Sequence, residues 1–182
     1  MFSKFHLIFI TTLTFIAIII NSALTAPVEN PNKHKEIFNA RVDTAVSIVT
    51  KQYPSAKLYE ADGKALGELT RDPAKIDHMR VVFWNENQTT VIIEETSLGK
   101  FGQPTLLNEP WLEDIEIEWP IKMTLDSAHK LKEAAGFNEP YKTVTLRHIL
   151  YPGIRHPLFI FGNGSSQFVF VDTVTSNVTT GK

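Results

Sequence analysis

The chain has 182 residues and no cysteine, and its 18 basic and 20 acidic residues give a net charge of −2 at pH 7. Without cysteine, a disulfide framework, a thiolate metal centre and a thiol-dependent enzyme are all excluded. The weakly acidic balance argues against a nucleic-acid-binding protein, which would show a basic surface, and equally against binding to an anionic membrane.

The first 26 residues have the pattern of a secretory signal peptide. Lys4 precedes an apolar run over residues 7–20, and small residues follow as far as Ala26. That run is shorter than the about 20 residues that a membrane-spanning helix needs. We therefore expect cleavage of residues 1–26, secretion to the extracellular space and no membrane association afterwards. Residues 27–35 are polar and contain proline, which predicts a disordered start.

A helix, a strand and a hairpin are predicted next in chain order. Apolar residues lie at helical spacing between Phe38 and Tyr53, and Pro54 ends the helix. A short alternating segment around Leu58 predicts a strand. Residues 78–96 contain two β-rich runs around a polar tip, which is typical of a β-hairpin.

Residues 99–113 are predicted as a connecting loop that forms the contact region for a partner. The segment contains glycine, proline and several large apolar residues. Long loops that expose such residues often bind other molecules. The candidate binding residues are Phe101, Leu106, Leu107 and Trp111.

The second half repeats this order of elements. Residues 114–120 alternate between apolar and acidic side chains, which predicts a strand with one solvent-facing side. A helix follows, with Thr124 as its N-cap and Gly136 after its last turn. Residues 141–150 alternate as a strand, and residues 157–173 have the pattern of a second hairpin.

The shared order of the two halves predicts the fold class. We expect an α+β fold of two repeats, each a helix packed on a small antiparallel sheet. The first repeat is assigned to residues 36–98 and the second to residues 114–182. The second hairpin is apolar on both faces, so both faces need cover. One cover would be its helix, and the other would be the partner repeat, a subunit or a ligand.

Three Asn-X-Ser/Thr sequons predict N-linked glycosylation in a secreted protein. They begin at Asn87, Asn163 and Asn177. Asn87 and Asn163 fall at the tips of the two predicted hairpins. We therefore expect both tips at the surface and the aromatic strands of the hairpins in the core.

Two segments of the second half carry a family resemblance. They are the helix "LDSAHKLKEAAG" and the ending "FVFVDTVTSNV", with Val171-Asp172 followed by Val178. In these features the second half resembles a PepSY-type module, although Ser176-Asn177 stands where the family usually has glycine. The first half is similar more loosely, through "ARVDTAVSIVTKQYPSAKLYEADG". The resemblance implies a tandem, PepSY-like extracellular protein that restrains peptidases or binds at surfaces, without catalytic residues.

The histidines offer the clearest alternative to a binding protein. His148 and His156 flank a predicted turn and, with Asp172 or Asp126, would form a metal site. Asp126 and His129, three positions apart on the second helix, would form a hydrolase dyad with Ser127. No zinc-protease, nucleophile-elbow, calcium-loop or phosphate-loop pattern accompanies them. We therefore predict no catalytic residues, no metal site and no cofactor.

Three functions remain open from the sequence. The favoured one is a secreted, non-catalytic binding module whose partner is an extracellular protein such as a peptidase. The alternative is an extracellular carrier of a small lipid or carbohydrate, and the third is an unrecognised hydrolase. A carrier would hold its ligand in a pocket lined by Phe159, Phe161, Phe168 and Phe170. A filled core around these rings would favour protein recognition.

Overall fold

The computed structural model describes residues 37–181. The predicted signal peptide, the disordered start and Lys182 lie outside the described residues. The elements are α1 (Ile37–Gln52), β1 (Lys57–Lys64), β2 (His78–Asn85), β3 (Thr89–Ser97), β4 (Lys100–Phe101), β5 (Thr105–Leu107), β6 (Asp114–Ile115), α2 (Leu125–Ala134), β7 (Thr143–Ile149), β8 (Leu158–Gly162), β9 (Phe168–Asp172) and β10 (Val178–Gly181).

The strands form one ten-stranded antiparallel sheet. Its order is β10-β9-β8-β7-β1-β2-β3-β4, with β5 paired to β3 and β6 paired to β7. The expectation of two repeats, each a helix on its own small sheet, is therefore wrong. The central pair is β1 with β7, in a register that runs from Glu60 opposite Arg147 to Lys64 opposite Thr143. In two separate sheets both strands would be edges with unpaired backbone groups, whereas here each edge pairs with the other.

Both helices pack against the same face of this sheet. The helix predicted between Phe38 and Tyr53 forms as α1, and its apolar stripe is buried. The Phe38 ring lies 5.7 Å from the Phe159 ring of β8, and the His129 ring of α2 lies 6.4 Å from the Phe161 ring of the same strand. Since Phe159 and Phe161 share one face of β8, a single core joins both halves.

The four phenylalanines of the second hairpin lie on opposite faces of the sheet. Phe159 and Phe161 are 0% and 2% exposed, within the core under the helices. Phe168 and Phe170 face the other side, where they are partly exposed and lie opposite Gly162 and Ile160. The four rings therefore do not line one pocket, as the carrier hypothesis required.

The two hairpin tips lie at opposite ends of the sheet. Because β1 and β7 are antiparallel, the tip at residues 86–88 shares one end with the loop at residues 150–157 and the turn at residues 173–177. We refer to this end as the cleft end. The tip at residues 163–167 lies at the other end, with residues 65–77, which we refer to as the far end. Neither α1 nor α2 is long and apolar enough to span a membrane.

Candidate functional site

The candidate site is a cleft of about 840 Å³ at the cleft end of the sheet. Its walls come from the segment at residues 115–122, the end of β7, the loop at residues 150–157 and the turn after β9. Both apolar and charged side chains line it. The lining residues are Ile115, Glu116, Glu118, Pro120, Ile121, Lys122, His148, Arg155, His156, Pro157, Thr173 and Val174.

Hydrogen bonds hold the loop at residues 150–157 at both of its ends. The Leu150 N–H donates to the carbonyl of Glu113, with a distance of 3.1 Å between N and O. At the other end, Thr173 donates its N–H and its hydroxyl to the carbonyl of Pro157, at 3.0 and 2.7 Å. The two ends of the loop are therefore fixed to two neighbouring segments.

A histidine–aspartate pair forms one wall of the cleft. His156 Nδ1 lies 3.0 Å from Asp172 Oδ2, while Asp172 Oδ1 accepts the N–H groups of Val174 and Thr175, each at 2.8 Å. Partial burial acts to raise the pKa of Asp172, but the bonds from Thr175, His156 and Val174 outweigh it and lower the pKa overall. The ionised aspartate thus orients the imidazole and shapes the turn.

His148 adds a second imidazole to the same cleft. It pairs with Ile115 across β6 and β7, and its Nε2 is buried without a hydrogen-bond partner among residues 37–181. The structure therefore brings together His148, His156 and Asp172, which the sequence could only suggest. Asp126, the other acid considered, lies in the first turn of α2 and does not line the cleft.

The cleft has polar groups for recognition but no free hydroxyl nucleophile in its lining. Thr173 is its only hydroxyl residue, and that hydroxyl donates to Pro157. Within the described part of the chain, no three histidine, aspartate or glutamate side chains are arranged to hold a metal ion. This donor set suits hydrogen bonding and ion pairing with a bound group.

Large apolar side chains surround the cleft and point into solvent. We define the apolar rim as Leu112, Ile115, Leu150, Tyr151 and Val174, whose exposed fractions are 72%, 37%, 62%, 67% and 66%. Ile115 and Val174 also line the cleft, Leu150 and Tyr151 lie on the loop at residues 150–157, and Leu112 lies just before β6. A concentration of exposed apolar surface on constrained segments is typical of an interaction site.

A charged cluster on the open face of the sheet fixes one of these segments. Arg147 Nε lies 2.8 Å from Asp114 Oδ1 and 3.6 Å from Glu60 Oε2. Trp111 donates its Nε1–H to Asp114 Oδ2 at 2.8 Å, and the guanidinium of Arg80 lies 5.7 Å from the centre of the Trp111 ring. These contacts anchor both sides of Leu112 and so position it on the rim.

The binding residues predicted from the connecting loop do not form one patch. Phe101 lies in β4 and packs against the core. Leu106 and Leu107 are exposed in β5, but as successive strand residues they point to opposite faces. Trp111 belongs to the charged cluster. The sequence signal for the rim is the pair Leu150-Tyr151 before Pro-Gly, a pattern that by itself predicts only a turn.

The histidine of the second helix, His129, is part of the hydrophobic core rather than of the cleft. His129 is buried against the rings of Tyr141 and Phe161, and its Nε2 lies 3.3 Å from Glu133 Oε1. Burial lowers the pKa of His129 despite the nearby Glu133. It is therefore separated from the cleft and packs in the core.

Comparison with known proteins identifies a similar fold. No family model matches the chain, and no curated protein sequence matches it. The solved structure of a putative lipoprotein from Clostridium difficile 630 is similar, with a TM-score of 0.54 and a sequence identity of 12%. The match covers 77% of this chain and 91% of that chain. At this identity the likeness concerns the fold alone.

Proposed function

We propose that this protein is an extracellular, non-catalytic binding module that recognises another extracellular protein through the apolar rim and the cleft that the rim surrounds. The observation that carries the proposal is the exposure of five large apolar side chains on segments held by hydrogen bonds and ion pairs. Such pre-ordered apolar groups lose little conformational entropy on binding, so they act efficiently as anchors.

The distribution of apolar surface favours a protein partner over a small ligand. Small-ligand sites enclose most of the ligand in a concave, mainly apolar pocket. Here the largest apolar groups stand outside the cleft, and Leu112 and Tyr151 are more than half exposed. The rings proposed to enclose a small ligand are divided between the core and the open face. A partner with its own apolar surface would cover the rim.

The extracellular location rests on two supports. The first 26 residues have a charged start, an apolar run and small residues, as in a secretory signal peptide. The similar solved structure is that of a putative lipoprotein, a name that implies a surface location for that protein. Both favour a secreted or surface-exposed protein.

A peptidase is the partner class that we propose first. The reason is the resemblance of "LDSAHKLKEAAG" and "FVFVDTVTSNV" to PepSY-type modules. A rigid loop that presents Leu150, Tyr151 and Arg155 would occlude a substrate groove without being a good substrate, because its ends are fixed by hydrogen bonds.

The test is capture of partners by matched variants. Secreted protein is immobilised and exposed to extracellular medium from its own source, and bound proteins are identified by mass spectrometry. Leu150→Ala with Tyr151→Ala should lose the partner. Leu66→Ala with Leu69→Ala is the control, because those leucines are also exposed but lie at the far end.

The expected result is a peptidase that binds the wild type and the control but not the rim variant, and whose activity the wild type reduces. Equal capture by all three proteins would show that the rim is not the binding surface. Purification of the wild type with a bound small molecule and no protein partner would support the carrier alternative instead.

A further inference from the structure

The turn between β8 and β9 holds a sequon in an ordered local conformation. Asn163 Oδ1 accepts the backbone N–H of Ser165 at 3.0 Å and the Ser165 hydroxyl at 2.6 Å. Both bonds join residues two apart, so the conformation forms without tertiary contacts. Asn163 Nδ2 has no hydrogen-bond partner within residues 37–181. The side-chain amide nitrogen is thus free to be modified while its oxygen is held.

The sequon at Asn87 is arranged differently. The Thr89 hydroxyl donates to the carbonyl of Glu86 at 2.9 Å and accepts Asn85 Nδ2 at 3.2 Å. It is therefore committed to neighbours other than Asn87. Among the sequons within residues 37–181, only the one at Asn163 has a hydrogen bond from its hydroxyl group to the amide oxygen of its asparagine.

An aromatic patch lies on the open face of the sheet and covers Gly162, the residue that precedes Asn163. The ring of Phe168 lies over Gly162, where a Cβ would stand 3.1 Å from Phe168 Cε1. The ring of Phe170 lies over Gly181 in the same way, with a Cβ-to-Cε2 distance of 2.8 Å. The two ring centroids are 6.5 Å apart. Glycine at both positions lets the rings lie on the backbone, partly exposed.

We propose that Asn163 carries an N-linked glycan and that its innermost sugar packs on the ring of Phe168. The apolar C–H face of a sugar is complementary to the negative face of an aromatic ring. The sugar is the occupant because its attachment residue directly follows Gly162, which lies under that ring. It covers an aromatic patch that both helices leave open.

The modification follows the usual chemistry of sequons in the secretory pathway. A bond forms between Asn163 Nδ2 and the anomeric carbon of an oligosaccharide carried on a lipid diphosphate. The lipid diphosphate leaves, and the amide nitrogen loses one proton. The inference rests on the extracellular location in the proposed function, but not on partner binding, because Asn163 lies at the far end, away from the rim.

Occupancy is tested on the full chain secreted from a eukaryotic host, by intact mass before and after enzymatic removal of N-glycans. Asn163→Gln and Ser165→Ala should each lose the mass of one glycan. Ser166→Ala, which leaves the sequon intact, should retain it. An unchanged glycan mass in Asn163→Gln would overturn the proposal. Retention of the chain inside the cells would instead contradict the extracellular location.

Packing on Phe168 is tested by the effect of glycan removal on Tm. The glycosylated wild type should have a Tm higher by about 2 °C than the enzymatically deglycosylated form, since a fraction of a kcal/mol produces shifts of this size. In Phe168→Ala this difference should vanish, whereas in Phe101→Ala it should persist. The same difference in Phe168→Ala as in the wild type would show that the sugar does not rest on this ring.

Discussion

Glu60 is buried between two arginines, yet its surroundings favour the protonated carboxyl. Arg80 Nη2 lies 2.9 Å from Glu60 Oε1 and 2.6 Å from Asp62 Oδ2, while Arg147 contacts both Glu60 and Asp114. Two cations thus face four carboxyl groups, since Arg147 Nη2 also lies 3.4 Å from Glu113 Oε2. Burial raises the pKa of Glu60 to about 8, and the negative charge of Asp62 and a hydrogen bond to it contribute in the same direction. The positive charge of Arg147 opposes this shift.

Glu60→Gln should therefore change the pH dependence of stability. The folded pKa lies above the ordinary value of 4.5, so the stabilising contribution of Glu60 is complete below about pH 4.5 and is lost as pH rises through 8. Glutamine keeps the neutral form. At pH 9 the variant should gain about 1–2 kcal/mol in free energy of unfolding relative to the wild type, which is less than the roughly 5 kcal/mol that the whole pKa shift would allow.

The measurement is urea denaturation at pH 5, 7 and 9, with Glu118→Gln as a control at an exposed glutamate. The difference in free energy of unfolding between Glu60→Gln and the wild type should grow with pH. The difference between Glu118→Gln and the wild type should be the same at all three pH values. A difference that is independent of pH would show that Glu60 stays ionised in the folded protein.

The position of Glu60 was not predictable from the alternation of its strand. The residues around Leu58 predicted a strand correctly, and β1 is present. A bulge between Leu58 and Glu60 shifts the register against β2, so that Leu58 and Ala61 face the core while Glu60 and Asp62 face the open side. A simple period of two does not reveal such a shift, because a bulge depends on the partner strand.

At the scale of elements, Asp172 connects a loop and a turn that the sequence suggested only separately. Residues 157–173 were predicted as a hairpin, and β8 and β9 form it. The contact from His156 to Asp172 spans 16 positions in the chain and depends on the pairing of Leu158 with Asp172. Sequence patterns indicate local preferences. A hydrogen bond between two separate connecting segments can therefore be recognised only when the pairing of the strands is known.

Asp172→Ala should loosen the turn at residues 173–177 more than His156→Ala does. The aspartate accepts two backbone N–H groups and one imidazole, whereas the histidine provides only one of these three bonds. We expect Asp172→Ala to lower the free energy of unfolding by about 1–3 kcal/mol, because the N–H groups lose a charged acceptor.

Hydrogen exchange measured by mass spectrometry separates the two variants. In Asp172→Ala, exchange should rise in peptides that contain Val174 and Thr175 and in the loop at residues 150–157. In His156→Ala, the rise should be confined to the loop. Equal protection of the turn in Asp172→Ala and the wild type would mean that the aspartate does not hold it.

At the scale of the molecule, the pairing of β1 with β7 joins the two halves of the chain into one sheet. The sequence shows a helix followed by antiparallel strands twice, which is why two small sheets were expected. It does not show which strands pair between the halves, because that contact joins residues far apart in the chain, such as Glu60 and Arg147. Non-local pairing is decided by the shared core and by unpaired strand edges rather than by any local pattern.

A shared core predicts that both halves unfold together. Phe161 lies in β8 of the second half, is 2% exposed and packs against Tyr141 at 5.0 Å. Phe161→Ala should cost about 3–5 kcal/mol, as for other buried phenylalanines. Because the sheet is continuous, the urea midpoint measured from the fluorescence of Trp84, in β2 of the first half, should fall as much as the midpoint measured for β8 and β9 by hydrogen exchange.

Phe170→Ala, on the open face, is the matched control and should lower the urea midpoint less. Two separate transitions in Phe161→Ala, with β2 unaffected, would mean that the halves fold independently despite the shared sheet.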